Sequence, residues 1–109
     1  MITIKFYKNK NSNLIGFDSI GHSGYARHGR DIICAGVSAL VLNAINSIDL
    51  LTEDDCSVES NEETGEIIFR LSKEPTEKAS LIMESLVLGL TGIQENYGKK
   101  YIILNFKEV

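Results

Sequence analysis

An α+β fold is what the sequence predicts: a mixed or antiparallel sheet with two helices, in the order β-β-α-β-β-α-β. Three observations carry this. Ile2, Ile4 and Phe6 alternate with Thr3, Lys5 and Tyr7, the period of a strand. Two long stretches, one opened by Asp31 and one by Pro75, are apolar in the manner of helices. Turn signals divide the remaining apolar runs into pairs of short strands, and hairpins with interspersed helices make a sheet with helices packed on it. A length of 109 residues suits one domain, 1–109, and 43% hydrophobic residues are enough to build its core.

The elements follow in order. Asn11-Ser12-Asn13 is a turn, and Leu14 to Gly21 is the second strand of an amino-terminal hairpin. Residues 21–31 hold Gly21, Gly24 and Gly29 with few apolar anchors and read as a mobile surface loop. Asp31 is a good N-cap for a helix over Ile32 to Ile48. That run is apolar nearly all round, so the helix should be buried, between the sheet and something else such as a second subunit. Cys56 to Ser60 and Glu66 to Leu71 are two strands joined by a turn ending at Thr64-Gly65. Pro75 fits the first turn of a second helix. Ala79, Ile82, Met83, Leu86, Leu90, Ile93 and Tyr97 recur every three or four residues, which puts one stripe on the core. Gly89 and Gly92 weaken such a helix unless they permit close packing. Gly98 ends it, and Tyr101 to Phe106 is the last strand.

Composition removes several function classes. The net charge is −4, and the longest basic cluster is Lys99-Lys100, which disfavours a protein that tracks nucleic-acid phosphates. An acidic body suits a basic protein partner instead. No apolar run approaches the roughly 20 residues that cross a bilayer, and the amino terminus lacks the layout of a secretory signal. Cys34 and Cys56 form no disulfide framework, so the expectation is a cytoplasmic protein with reduced thiols, without membrane contact. Two histidines and two separated cysteines match no metal-ligand spacing, and no cofactor is implied.

The chemistry-bearing segment runs from Gly21 to Ser38. With Asp31 as N-cap, Cys34 is the third helical residue, where unpaired N–H groups and about half a unit of positive charge stabilise a thiolate. The same N–H groups can bind an oxyanion beside the sulfur. The Asp31 charge opposes this, unless its carboxylate is occupied in capping the amide of Cys34. His22 ends the second strand, twelve positions before Cys34, a gap that a loop closes readily. An imidazole, with an ordinary pKa of about 6.5, exchanges protons near neutrality and completes a nucleophile–base pair.

Each residue also has a plainer use. A cysteine on an apolar helix is often a small core residue. A histidine at a strand end is often structural or solvated. His28, between Arg27 and Gly29, is a second candidate base, though its place reads more simply as exposed loop. Cys56 follows Asp54-Asp55, whose charge raises a thiol pKa, and reads as structural. Ser38 lies one turn after Cys34 on the same face, suited to the site or to helix packing. Three functions therefore stand open on the residues: a cysteine protease, a non-catalytic binding domain and a thiol-redox protein. The absence of C-x-x-C weakens the last.

The string Gly21-His22-Ser23, followed by Gly29-Arg30-Asp31-Ile32-Ile33-Cys34-Ala35-Gly36-Val37-Ser38, resembles the signature of the ribosomal-processing cysteine protease (Prp) family. That signature is Gly-His-Ala, a short variable stretch, then Gly-x-Asp-x-Val-Cys-Ala-Ala-Val-Ser. Ser23, Ile33 and Gly36 depart from it by small changes, and neither His22 nor Cys34 is touched. The resemblance extends over the whole chain in length and order of elements. It implies a cysteine endopeptidase with His22 and Cys34 as catalytic pair, and with Gly21, Gly29, Asp31 and Ser38 as substrate-binding or supporting positions. It implies a homodimer that removes the N-terminal extension of a large-subunit bacterial ribosomal protein, cutting after an aromatic residue. The loop holding Gly24 and Gly29 would be a flap that orders on substrate. The alternative that remains is a ribosome-associated binding domain in which Cys34 is merely buried.

Overall fold

The computed structural model describes residues 1–22, 24–27 and 31–109. The alternation at the amino end forms β1 (Ile2–Lys8), which a turn at Asn9–Asn13 folds back onto β2 (Leu14–Gly21). The Asn9 carboxamide accepts the Asn11 and Asn13 amides at 2.9 and 3.1 Å, so the turn is closed by its own side chain. Next come α1 (Ile32–Leu51), the hairpin β3 (Cys56–Asn61) and β4 (Glu66–Leu71), α2 (Glu77–Tyr97) and β5 (Ile102–Glu108). The predicted order of elements is thus the observed one.

The strands form one sheet in the order β3-β4-β2-β1-β5. β1 pairs with β5 in parallel and the other neighbours are antiparallel, so the sheet is mixed. Register lines up Phe106, Phe6, Phe17 and Phe69 across four strands. Their ring centroids are 5.5, 5.7 and 5.2 Å apart in turn, within the range of favourable aromatic pairs. Both helices cover this face. Ile33, Val37, Val41 and Ile48 of α1 and Met83, Leu86 and Leu90 of α2 join Ile4, Phe6, Phe17 and Phe69 in a single core. The helices approach closely at Gly89, where a Cβ would lie 2.9 Å from Leu40 Cδ1, so this glycine does serve packing. Gly92 faces no neighbour within 4 Å.

Four details depart from the sequence reading. First, α1 runs to Leu51, twenty residues with a mean hydropathy of 1.6 over its most apolar window, so by length and composition one helix is able to cross a membrane. The small polar residues Ser38, Asn43, Asn46 and Ser47 disguised that length in the sequence. Second, α1 is not covered all round. One stripe enters the core while Ile32, Leu42, Leu50 and Leu51 stay exposed, Leu50 at 75%. Third, Pro75 lies outside α2, because Thr76 is the N-cap and its hydroxyl accepts the Ala79 amide at 3.3 Å. Fourth, the last strand is Ile102–Glu108, since Gly98 closes α2 and Tyr101 is still in the turn.

The opposite sheet face is polar. Arg70 is paired with Asp18 at 2.8 Å and lies 4.3 Å over the Tyr7 ring, while the Tyr7 hydroxyl donates to Asp18 at 2.6 Å. Burial works to raise the Asp18 carboxyl, but the Arg70 and Tyr7 contacts outweigh it and hold it below its ordinary value. At the start of α2, Asp54 accepts the Thr76 amide at 2.9 Å and its hydroxyl at 2.5 Å. There too burial opposes the hydrogen bonds and loses, so Asp54 also sits below its ordinary value. Carboxyls depressed by folding contribute stability that is complete above the ordinary Asp range, about pH 4, and is lost as pH falls through their depressed values. The urea midpoint should therefore fall between about pH 5 and pH 2. Asp18→Asn with Asp54→Asn should flatten that dependence, as followed by circular dichroism at each pH.

Candidate active site

Two element ends meet to make the site. β2 finishes at Gly21, in a left-handed conformation (φ 99°), and His22 follows it directly. The other end is the start of α1. Asp31 adopts extended backbone and its Oδ1 accepts the amides of Ile33 and Cys34, each at 3.0 Å. Its carbonyl accepts the Ala35 amide at 3.0 Å. Cys34 is thereby fixed as the third residue of the helix. This occupies amides that the sequence reading assigned to an oxyanion: those of Ile33, Cys34 and Ala35 are already engaged by Asp31. The capping role expected of Asp31 is the reason, and its carboxylate is buried while performing it.

His22 and Cys34 line one cavity of about 570 Å³ together with Asp31, Ser38, Gly24, Ala26 and Ala35. Behind it lies a smaller space of about 80 Å³, whose walls include His22, Cys34, Ser38, Ser19, Gly21 and Gly65. Of the residues singled out in the sequence, Gly21, His22, Asp31, Cys34 and Ser38 are thus brought together. Gly29 and the second candidate base, His28, lie outside the described residues. Among the described residues no group of three or more His, Cys, Asp and Glu is arranged to hold a metal.

Cys56 is separate from this site. It begins β3 and lines a different cavity, beneath α1, with Asp49, Val58 and Ile67. Burial raises its thiol above the ordinary value, and Asp49, Asp55 and Asp54 raise it further. The sequence exposed the two adjacent carboxylates; the larger burial effect and Asp49 come from the packing of α1 on β3.

Three contacts were not legible in the sequence. Gly65, in the β3–β4 turn, has φ 72°, and a Cβ there would come within 3.2 Å of the Gly21 carbonyl and 3.4 Å of His22 Cε1. The turn glycine therefore forms a wall for the imidazole. Ser19 is a buried hydroxyl in a register position between Ile4 and Ile67; a polar residue on the inward phase of β2 was its only signal. The Met1 amine donates to the His22 carbonyl, which ties the first residue to the base of the site.

The family profile described as cysteine protease Prp matches residues 1–102. The chain belongs to the cysteine protease Prp family. Among curated relatives it is similar to the ribosomal processing cysteine protease Prp of Bacillus subtilis, 30% identical over 101 residues that cover 89% of this chain and 90% of the relative. The Staphylococcus aureus protein of the same name is 29% identical over 98% of this chain and its own full length. Solved structures agree. Prp from S. aureus with a covalently linked product peptide superposes with a TM-score of 0.92, at 29% identity, over 98% of this chain and 100% of the other. The protein SMU.848 from Streptococcus mutans has a TM-score of 0.83 at 28% identity, covering 100% of this chain and 96% of that one. The chain is a cysteine protease, and its α+β architecture is that of the Prp structures.

Two outcomes follow from the site's geometry. Iodoacetamide near pH 7 should modify Cys34 well before Cys56, as read by peptide mass spectrometry over time, because Cys34 lines the cavity at the start of α1 while burial and three carboxylates push the Cys56 thiol up, away from the reactive thiolate. Gly65→Ala should destabilise the fold by about 1 kcal/mol, the cost of a non-glycine residue in this conformation, and should lower peptidase activity because the new methyl crowds the Gly21 carbonyl, one residue before His22.

Proposed function

We propose that this protease removes the N-terminal extension of a large-subunit bacterial ribosomal protein, with Cys34 as nucleophile and His22 as general acid and base. The observation that carries this reading is the convergence of His22 and Cys34 on one cavity at the amino end of α1. The Cys34 sulfur attacks the scissile carbonyl as a thiolate, and a thioester forms as the peptide C–N bond breaks. His22 gives its proton to the departing amine. Water then attacks the thioester as His22 takes its proton, the C–S bond breaks, the acid product leaves and ionises to the carboxylate, and the thiolate with protonated His22 is restored. Asp31 holds the sulfur in place through the helix start, and Ser38 and Gly21 complete the walls. A covalently linked product peptide in the related S. aureus protein is in keeping with a covalent route, and a second structure of that protein holds a substrate peptide.

The substrate assignment draws on relatives named for ribosomal processing. Charge favours it: a chain of net −4 attracts a basic ribosomal protein, most strongly at low salt. We place the reaction in the cytoplasm, where such substrates are made, and assign the working form as a homodimer that covers the exposed apolar side of α1. No nucleic acid, membrane, metal or cofactor takes part in the proposed reaction.

Mixing the chain with the extended ribosomal protein of the same organism should give a single amino-terminal truncation by intact-mass spectrometry. Cys34→Ser and His22→Ala should each reduce cleavage by at least about a thousandfold, the scale of losing a nucleophile or its base, while circular dichroism stays unchanged. Cleavage retained in either variant would defeat the assignment, and absence of truncation by the unaltered chain would defeat the substrate.

A further inference from the structure

Between His22 and Asp31, the described segment 24–27 meets the body of the fold at the Tyr25 ring. The Tyr25 ring meets Tyr97 edge-on, with centroids 5.8 Å apart and planes at 85°, and meets Tyr101 at 5.2 Å and 75°. These are the perpendicular arrangements that aromatic quadrupoles favour. The two receiving rings stand on a well-determined base. Tyr97 is the last residue of α2, and the Gly98 amide after it donates to Gln94 at 2.8 Å. Tyr101 donates its amide to Gly98 at 3.2 Å and accepts the Ile2 amide at 2.8 Å, which links it to β1. The Lys100 ammonium lies 5.0 Å from the Tyr101 ring centroid and adds to this hold.

The residues on either side of Tyr25 have the opposite orientation. Gly24 and Ala26 line the cavity that contains Cys34 and His22, while Tyr97 and Tyr101 do not. Glycine and alanine carry no side chain able to anchor that wall, and Gly24 adopts φ 75°, a conformation other residues resist. The tyrosine between them is the anchor, its ring set against the end of α2 and the turn before β5. We propose that Tyr25, Tyr97 and Tyr101 form an aromatic clasp that positions the Gly24–Ala26 wall for the peptide, so that two tyrosines outside the cavity act as positioning residues for catalysis. This deepens the peptidase reading and rests on it for its kinetic consequences. The contacts that make the clasp are ring against ring.

The experiment has two arms. In the first, Tyr25→Ala and Tyr97→Ala should each raise KM for the extension peptide about tenfold with kcat within about threefold, since peptide positioning is lost while the reacting pair is intact. Tyr25→Phe, which keeps the ring edge, should stay within about twofold of the unaltered chain. The double variant should be no worse than the worse single, as contacting partners are non-additive. If Tyr97→Ala fails to fold, Tyr97→Leu preserves an apolar helix end without the ring and carries the same expectation. Unchanged KM in Tyr25→Ala, or losses that multiply in the double variant, would overturn the clasp. The second arm needs no proteolysis: the rate of Cys34 modification by a bulky maleimide, divided by that for iodoacetamide, should change at least about threefold in Tyr25→Ala and in the Tyr97 variant and not in Tyr25→Phe, because wall position governs access. A constant ratio would overturn the clasp. A changed ratio in a chain that leaves the extension peptide uncut would support the clasp and overturn the proposed substrate.

Discussion

The Asp31 carboxylate, accepting two successive amides, decides where α1 begins, and most of the molecule is arranged around that start. A helix shifted by one residue would turn its side chains by about 100°. Val37, Val41 and Ile48 would leave the core, and Cys34 would leave the cavity it shares with His22. One capping interaction thus links stability with chemistry. Because the cap accepts the Cys34 amide, the residue that carries the sulfur is held by the same bond that starts the helix.

The sheet supplies the other half of the constraint. β2 delivers His22, and its register is pinned on both sides, by Phe6 opposite Phe17 and by Phe17 opposite Phe69. Arg70 reinforces that register from the far face, reaching the Phe17 carbonyl at 3.2 Å and the Phe69 carbonyl at 2.8 Å. A slip of one residue would expose the phenylalanine row to solvent. The position of the imidazole is therefore a consequence of packing some distance from it, and the β3–β4 turn adds a local wall through Gly65.

Much of this was readable before any coordinates, and the reasons are local. The alternation in Ile2 to Tyr7, the Asn-rich turn, the Asp31 cap and the glycine after α2 are each decided within a few residues of themselves. The motif around Cys34 and His22 sits in such local signals, so the pair could be named. What escaped was decided by distant partners. Asp54 makes Thr76 the better cap, and Pro75 falls outside the helix. Gly65 looked like an ordinary turn glycine, and only the pairing of β4 with β2 carries it to His22. The exposed leucines of α1 looked buried because one-dimensional hydropathy does not say which side a sheet covers.

The parallel pairing of β1 with β5 joins residues 2–8 to residues 102–108, across all the other elements of the fold. During synthesis β1 must wait, one flank unpaired, until β5 has cleared the exit tunnel. Helix α1 and both hairpins are translated well before then. Because Tyr101 immediately precedes β5 and holds the Ile2 amide, and Ile2 lies opposite Gly21, the arrival of β5 also steadies the strand end that leads into His22. Closure of the sheet and completion of the catalytic architecture are thus a single event, and a chain halted before β5 emerges would carry a sheet one strand short.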